Sequence, residues 1–166
     1  GLGRKQRSEG VWSASGLSPR QFSEQGSRSQ TLSVDAQRGM VKLPEAATEV
    51  PLIAGSQDKL SVWAQIGGWV ACSPSAFENQ VRLELPVWGS GDLEKWQIRS
   101  VGWSHLDTPY GPRKALQIVR PAGLGGDARI ALWYVPEWGV LPVRLLIEQA
   151  NGDVADQVLS ERQPPP

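Results

Sequence analysis

The feature that most constrains the fold is a two-residue alternation of apolar and polar side chains through the second half of the chain. In residues 81–87 every second side chain is apolar, with Arg82 and Glu84 between them. Side chains of a strand point alternately to its two faces, so this pattern predicts a sheet with one packed and one wetted face. The connections between such segments are too short for parallel crossovers. We therefore predict antiparallel pairing.

Turn residues divide this half of the chain into separate strands. The apolar phase flips in the strand after residue 95, which predicts a β-bulge near Arg99 to Gly102. Gly123 to Gly126 and Pro136 to Gly139 are typical of turns, and Asn151-Gly152 is the strongest hairpin signal in the chain. The predicted strands after the first one cover residues 95–103, 114–120, 128–135, 143–149 and 153–160.

The first half of the chain gives weaker signals. Residues 1–38 are rich in Ser, Gly, Gln and Arg, so ordered structure is least expected there. Val11-Trp12 fits a short strand, and residues 16–22, which contain Gly and Pro, fit a loop. Residues 31–35 and 40–43 alternate on either side of a turn, which predicts a hairpin.

One amphipathic helix is predicted from Asp58 to about Cys72. Its apolar side chains recur at helical spacing, with Ser56 as a candidate N-cap. Gly67-Gly68 weakens a helix by roughly 1 kcal/mol per glycine relative to alanine. The pair is therefore also consistent with close packing on a sheet. The apolar stripe consists of Val62, Ile66, Trp69 and Val70, widened by Leu60 and Trp63.

The predicted fold class is therefore α+β and mainly β, with a curved antiparallel meander sheet packed on one amphipathic helix. The chain has 166 residues, which favours a single domain that we place at residues 1–162. Residues 163–166 end in three prolines and are expected to be disordered. Because the chain starts at Gly1 rather than Met, we expect a processed or truncated product that has lost any export signal or anchor.

Composition argues against several classes of function. The 17 basic and 17 acidic side chains balance to a formal net charge of zero, whereas nucleic-acid binders carry a basic excess. The single cysteine, Cys72, leaves no intrachain disulfide and no zinc site built on thiolates. No apolar run approaches the ~20 residues that cross a bilayer. We expect no nucleic-acid partner, no metal, no cofactor and no transmembrane segment in this chain.

No group of residues has the pattern of a catalytic site. Ser104-His105-Leu106-Asp107 contains the residue types of a hydrolase triad, but neighbours in a strand point to opposite faces. Cys72 and His105 could form a thiolate pair, yet the end of an apolar helical stripe predicts a buried, inert thiol. The glycines of residues 123–126 lack the helix and lysine of a phosphate-binding loop. We therefore expect a protein that is not an enzyme.

Four stretches of the chain together have the pattern of a known family. They are Gly16-Leu17-Ser18-Pro19 with Phe22, Val50-Pro51-Leu52 with Asp58-Lys59-Leu60-Ser61-Val62, Trp133-Tyr134-Val135-Pro136-Glu137 with Gly139-Val140-Leu141-Pro142-Val143-Arg144, and Asn151-Gly152-Asp153 with Asp156-Gln157-Val158-Leu159. In these stretches the chain resembles an exported bacterial family catalogued as domain of unknown function 3108. The resemblance implies an envelope or periplasmic protein of Gram-negative bacteria, without known catalytic residues and with further strands before Gly1. It also suggests a sheet similar to the open barrels of periplasmic lipoprotein carriers.

Two interpretations of function stay open. In the first, a concave sheet binds a lipid-like apolar or amphiphilic ligand, for which the eight tryptophans provide aromatic surface. In the second, the core is packed solid and the domain contacts another envelope protein. The turn from Trp138 to Arg144 is either a rigid corner or a recognition corner whose arginine meets an anionic group. The candidate ligand-binding residues are Trp63, Ile66, Trp69, Trp96, Leu132, Trp138 and Arg144.

Overall fold

A computed structural model describes residues 4–123 and 126–163 of the chain. This part contains eleven strands, one α-helix and two 3₁₀ helices. The predicted proline tail at residues 164–166 and the centre of the turn at residues 124–125 lie outside the described residues. The elements are β1 (Lys5–Ser13), β2 (Gly16–Gln25), β3 (Gln30–Asp35), β4 (Met40–Lys42), β5 (Val50–Pro51), α1 (Ser61–Cys72), β6 (Arg82–Trp88), β7 (Leu93–Leu106), β8 (Arg113–Arg120), β9 (Arg129–Tyr134), β10 (Arg144–Glu148) and β11 (Val154–Val158), with 3₁₀ helices at Pro74–Phe77 and Pro136–Trp138.

The strands form two sheets, and every pairing between consecutive strands whose register is given is antiparallel. The first sheet has the order β1-β2-β3-β4-β5, and the second has the order β11-β10-β9-β8-β7-β6. A mainly β fold with antiparallel sheets and one α-helix is therefore confirmed. The single meander of the prediction is two sheets instead. The expected likeness to lipoprotein carriers stays a prediction.

Contacts between residues divide the chain into two compact units. The first unit contains residues up to 65 together with residues 84–96, and the second contains residues 66–83 together with residues from 97 onward. The boundary passes through α1, β6 and β7. Each unit is described by itself below.

The first unit is built on the five-stranded sheet. The hairpin of β3 and β4 confirms the prediction for residues 31–43, and its turn is held by Asp35, whose Oδ1 accepts the backbone N–H groups of Gln37 and Arg38. One face of these strands is buried and forms the core of this unit. Each Å² of apolar surface removed from water there stabilises the folded state by about 25 cal/mol. The buried members of this core are Phe22, Leu32, Val41, Leu43 and Trp88.

The loop predicted for residues 16–22 is wrong, because these residues belong to β2. Pro19 is tolerated in the strand because it pairs with Gly10, where the β1–β2 register shifts. The backbone of Leu17 is bound by two side-chain amides of the same unit. Gln65 Oε1 accepts its N–H at 2.7 Å, and Gln57 Nε2 donates to its carbonyl at 2.7 Å. Residues typical of a loop thus form a strand, because their backbone is bound by partners distant in sequence.

Helix α1 begins three residues later than predicted, and its cap is Asp58 rather than Ser56. Asp58 Oδ1 accepts the backbone N–H groups of Leu60 and Ser61, while Ser61 Oγ accepts the N–H of Asp58. These bonds satisfy donors that a helix start leaves without intrahelical partners. Ser56 instead accepts a hydrogen bond from Trp88 Nε1 at 2.8 Å.

The second unit contains most of the six-stranded sheet, where the sequence predictions hold best. The predicted bulge is confirmed, because the β7–β8 register shifts between Ser100 and Gly102, and Gly102 has a φ of 129°. The predicted Asn151-Gly152 hairpin is confirmed between β10 and β11, with Gly152 at a φ of 90°. Both glycines adopt a backbone conformation that disfavours a Cβ atom.

The two faces of this sheet carry different side chains. Residues directly opposite in an antiparallel pair share a face, so Arg144 of β10 lies on the same face as Trp133 of β9. We call this the Trp133 face. Tyr134 and Leu132 lie on the other face and are fully buried. The buried apolar cluster that includes Trp133 consists of Leu106, Ala115, Val119, Ala131, Trp133, Val135 and Val143.

Close packing explains one glycine of the predicted pair. A Cβ atom added to Gly67 would overlap the carbonyl oxygen of Val140 and lie 2.8 Å from Tyr134 Cε1. The helix therefore contacts the chain after β9 at a distance that only glycine allows. Helix α1 has 12 residues, and no helix in the described part of the chain is long and apolar enough to cross a membrane.

Candidate functional site

Two of the predicted ligand-binding residues lie together in the first unit. The rings of Trp63 and Trp96 are 5.3 Å apart between centroids, with an interplanar angle of 41°. Trp63 is half-buried, whereas Trp96 is buried and donates its indole N–H to Glu94 Oε2 at 2.8 Å. The pair is thus an aromatic contact with one partly accessible ring.

The other predicted apolar residues belong to the second unit and differ in accessibility. Ile66 and Leu132 are fully buried, and Trp69 is half-buried. A fully buried side chain offers no surface to a ligand unless the surrounding side chains move. The assignment of these residues to a ligand site stays a prediction.

Arg144 lies where the recognition-corner interpretation needs it, but its charge is already paired. Its guanidinium stacks 4.8 Å from the centre of the Trp133 ring and donates two hydrogen bonds to Asp156, at 3.0 and 2.8 Å. The hydrogen bond to Asp156 raises the pKa of Arg144, and the same bond lowers the pKa of Asp156. This bidentate pair uses the guanidinium N–H groups of Arg144 that would otherwise bind an external anion.

The ion pair makes the second unit sensitive to acid. A carboxyl group with a lowered pKa in the folded state contributes stability above its ordinary pKa of 3.8, and loses it as the pH falls through the folded value. We expect Asp156→Asn to melt at a lower temperature than wild type near pH 6, and the two curves to converge below pH 3.8. Melting temperature against pH measures this difference. Asp107→Asn, at an exposed carboxylate without an ion pair in the described residues, should track wild type throughout.

A different group of side chains surrounds Trp138. The guanidinium carbons of Arg113 and Arg162 each lie 5.3 Å from the centre of the Trp138 ring, and Tyr110 meets the same ring edge-on at 5.8 Å. We call these four residues the Trp138 cluster. Contacts between guanidinium groups and an indole ring are favourable by about 0.5–2 kcal/mol each, depending on exposure.

Three features of the chain position the members of this cluster. Pro136 starts the 3₁₀ helix that carries Trp138, and Gly139 leaves it at a φ of 109°. Thr108 Oγ1 accepts the N–H of Tyr110 in the loop before β8. Arg162 arrives from the segment after β11, where its backbone N–H donates to the Tyr110 hydroxyl at 2.6 Å.

The charges of the Trp138 cluster are not neutralised within the described part of the chain. Neither Arg113 nor Arg162 forms an ion pair with a described carboxylate. Among the described residues, the Arg113 guanidinium donates only to the neighbouring Pro112 carbonyl. Each guanidinium centre lies 5.3 Å from one ring centroid, so the two are at most twice that distance apart. Two cations beside an aromatic ring favour an anionic group with apolar surface next to it.

Sequence reasoning found Trp138 but missed Tyr110, Arg113 and Arg162. The signal for the corner was local, since Pro136 and Gly139 are turn residues. The remaining members lie 24 or more positions away along the chain and reach Trp138 only through the sheet. Nothing in their own neighbourhoods marks them as members of a cluster.

The residues considered for catalysis lie at the surface. Ser104, His105 and Asp107 are exposed, and Ser104 and His105 are consecutive in β7. The prediction of a buried thiol is wrong, because Cys72 is exposed. Cys72 is the last residue of α1, two positions after the buried Val70, and two positions turn a helix toward its other side. The described residues contain no group of three or more His, Cys, Asp or Glu suited to a metal ion.

The sequence of the chain matches a family of known proteins. The family described as "Protein of unknown function (DUF3108)" matches residues 2–158. The chain belongs to the DUF3108 family. This confirms the resemblance drawn from the sequence, while export and a bacterial envelope location stay expectations. No curated protein and no solved structure matches the chain. Three members of the Trp138 cluster lie within the DUF3108 match, and Arg162 lies just beyond it.

Proposed function

We propose that this domain is a non-catalytic interaction module of the bacterial envelope, which binds an acidic segment of a partner protein at the Trp138 cluster. The observation that carries the proposal is the pair of guanidinium groups beside one indole ring, without an acidic partner among the described residues. Tryptophan, tyrosine and arginine are the residue types that most often dominate the binding energy of protein interfaces.

Further exposed groups of the second unit support a protein as the partner. Leu141, Val154 and Val158 are 66%, 63% and 50% exposed, values that are high for large aliphatic side chains. Strand β11 is the last strand of its sheet, so its outer backbone groups have no strand partner in the described chain. An open sheet edge beside apolar side chains is a common platform for an added peptide strand.

The burial of Ile66 and Leu132 favours the interaction module over the lipid-like ligand. Both were predicted to line a ligand surface, and both are covered by the chain's own side chains. An amphiphile bound there would have to displace packed core atoms, which costs several kcal/mol for a well-packed site. The envelope location of the proposal rests on the implication of the family resemblance.

We expect an acidic peptide with interleaved apolar residues to bind saturably to the intact domain. Replacing Arg113 or Arg162 with Gln should weaken binding about tenfold each, since a hydrogen bond to a charged group contributes about 1.5–3 kcal/mol. The indole N–H signal of Trp138 in a ¹H–¹⁵N spectrum reports binding at the cluster. A peptide in which Gln replaces each Glu should not move this signal.

Arg28→Gln provides the matched control, because Arg28 is an exposed arginine of the first unit without an ion pair in the described residues. It should bind the acidic peptide as wild type does. The proposal would be contradicted if the Arg113→Gln and Arg162→Gln variants bound the peptide as tightly as wild type does. Saturable binding of an uncharged lipid probe, unchanged in the same variants, would favour the apolar ligand instead.

A further inference from the structure

Two arginines face each other across β6 and β7 in the second unit. Val81 and Ser100 are joined by two hydrogen bonds, from Ser100 N–H to the Val81 carbonyl and from Val81 N–H to Ser100 Oγ, each at 2.9 Å. Because these strands are antiparallel neighbours, the next residues, Arg82 and Arg99, lie opposite each other. Opposite residues have Cβ atoms about 5 Å apart and point to the same side of the sheet.

These two arginines line an open notch at the surface. The notch has a volume of about 180 Å³ and is lined by Gln80, Arg82, Arg99, Ser100 and Val101. Drug-sized ligands occupy pockets of about 300–1,000 Å³. The notch is therefore matched to a small group rather than to an extended molecule. Ser100 at its base is 3% exposed, so its position is fixed by packing.

The notch carries positive charge that no described residue neutralises. The guanidinium groups of Arg82 and Arg99 form no ion pair and no hydrogen bond with the described part of the chain. Glu84, two residues along β6, is paired with Lys95 at 3.4 Å. Like charges placed directly opposite in a sheet are destabilising. An external anion between the two guanidinium groups would remove this repulsion.

The backbone at the rim supports a binding role. Gln80 has a φ of 51°, and it is the one residue other than glycine with a positive φ in the described chain. This conformation is uncommon for a residue other than Gly, Asn or Asp, and such residues cluster at functional sites. It presents the exposed Gln80 amide, a hydrogen-bond donor, to the same notch as the arginines.

We propose that the notch of Gln80, Arg82 and Arg99 binds the phosphate group of a phosphate monoester. A phosphate monoester carries about −1.5 to −2 charges at pH 7, which matches two guanidinium groups, whereas a carboxylate would leave one positive charge over. The phosphate oxygens accept bidentate hydrogen bonds from the guanidinium groups of both arginines. This site is independent of the Trp138 cluster, which lacks the paired cross-strand geometry.

Inorganic phosphate added at constant ionic strength should move the backbone amide signals of Ser100 and Val101 in a saturable way. Arg82→Gln and Arg99→Gln should each weaken phosphate binding about tenfold, the loss of one charged hydrogen-bonded group. Arg28→Gln is the control, since it removes an exposed arginine that belongs to neither the notch nor the Trp138 cluster and should leave phosphate affinity unchanged.

A charge reversal gives a second readout that does not depend on detecting weak binding. Arg82→Glu places a carboxylate opposite Arg99, so the melting temperature in phosphate-free buffer should rise above that of wild type. Added phosphate should then raise the melting temperature of wild type but not of Arg82→Glu. A variant that melts lower than wild type without phosphate, and gains as much from phosphate, would overturn the proposal.

The phosphate group can belong to a soluble ester or to a lipid headgroup, and vesicles distinguish them. If the phosphate group belongs to a lipid, wild type should co-sediment with phosphatidylcholine vesicles that contain phosphatidic acid, whereas Arg82→Gln should not. Binding of inorganic phosphate without vesicle binding assigns a soluble monoester. The site is refuted if wild type shows no saturable response to inorganic phosphate. It is also refuted if the Arg82→Gln and Arg99→Gln variants bind phosphate as tightly as wild type does.

Discussion

Replacing Gly67 with alanine is expected to lower the free energy of unfolding by about 3 kcal/mol or more. The added methyl group would overlap the Val140 carbonyl oxygen and lie 2.6 Å from the carbonyl carbon. These are backbone atoms, so the clash cannot be relieved by a rotamer change. In an open helix the same substitution stabilises by about 0.5–1 kcal/mol, because alanine loses less conformational entropy. At this position the clash outweighs that gain.

Chemical denaturation of Gly67→Ala and Gly91→Ala measures the effect against a matched control. Gly91 is exposed, and a Cβ atom added there would meet nothing within 4 Å. Its substitution should change stability by about 0.5 kcal/mol or less. If the two variants unfold at the same denaturant concentration, the close contact between α1 and the chain after β9 does not exist in solution.

The second large loss is expected for Asp58→Ala, at about 3 kcal/mol. Asp58 is fully buried, and its carboxylate accepts hydrogen bonds from the N–H groups of Leu60 and Ser61 and from Ser8 Oγ at 2.6 Å. Loss of an N-cap costs about 1 kcal/mol. The partners left without an acceptor add the cost of burying unsatisfied polar groups, about 1–3 kcal/mol.

Asp58→Asn separates the hydrogen bonds from the charge. Asparagine keeps an oxygen in the cap position and is as good an N-cap as aspartate. Its Nδ2 can donate to Ser8 Oγ, which accepts as readily as it donates. We expect less than half of the loss seen for alanine, measured by urea unfolding. An equal loss in both variants would show that the negative charge, rather than the cap geometry, stabilises this helix start.

The sequence pattern predicted the second half of the fold well because its strands and turns are determined by residues close together in the chain. Alternation fixes which residues of β7 to β10 face inward, and Asn151-Gly152 fixes a turn whose glycine adopts a positive φ. The bulge at Ser100 to Gly102 was visible as a change of phase along one strand. Each of these features depends on residues within a few positions of one another.

The errors in the first half arise from interactions between residues far apart in sequence. Residues 16–22 contain loop-forming residues, yet they form a strand because Gln57 and Gln65 bind the Leu17 backbone. Ser56 was a reasonable cap by residue type, but its hydroxyl accepts a hydrogen bond from Trp88, and Asp58 caps a helix that begins at Ser61. Propensity describes the isolated segment, and these partners override it.

The candidate site was predicted only in part for the same reason. Trp138 and Arg144 were visible because proline and glycine frame their turn, whereas Asp156, which pairs with Arg144, lies across a hairpin. Arg113 and Arg162 reach Trp138 from β8 and from the segment after β11. The cross-strand position of Arg82 and Arg99 likewise depends on the pairing of β6 with β7, which alternation alone does not specify.

The attachment of Arg162 couples ligand binding at the Trp138 cluster to the order of the segment after β11. The Tyr110 hydroxyl holds the Arg162 backbone, and Leu159 N–H donates to the Val143 carbonyl at 2.8 Å, so the segment after β11 is tied down at two points. A ligand that contacts Arg162 must favour the attached segment, and by reciprocity the attached segment favours the ligand by the same factor. Tryptic cleavage after Arg162 should therefore slow in proportion to the bound fraction.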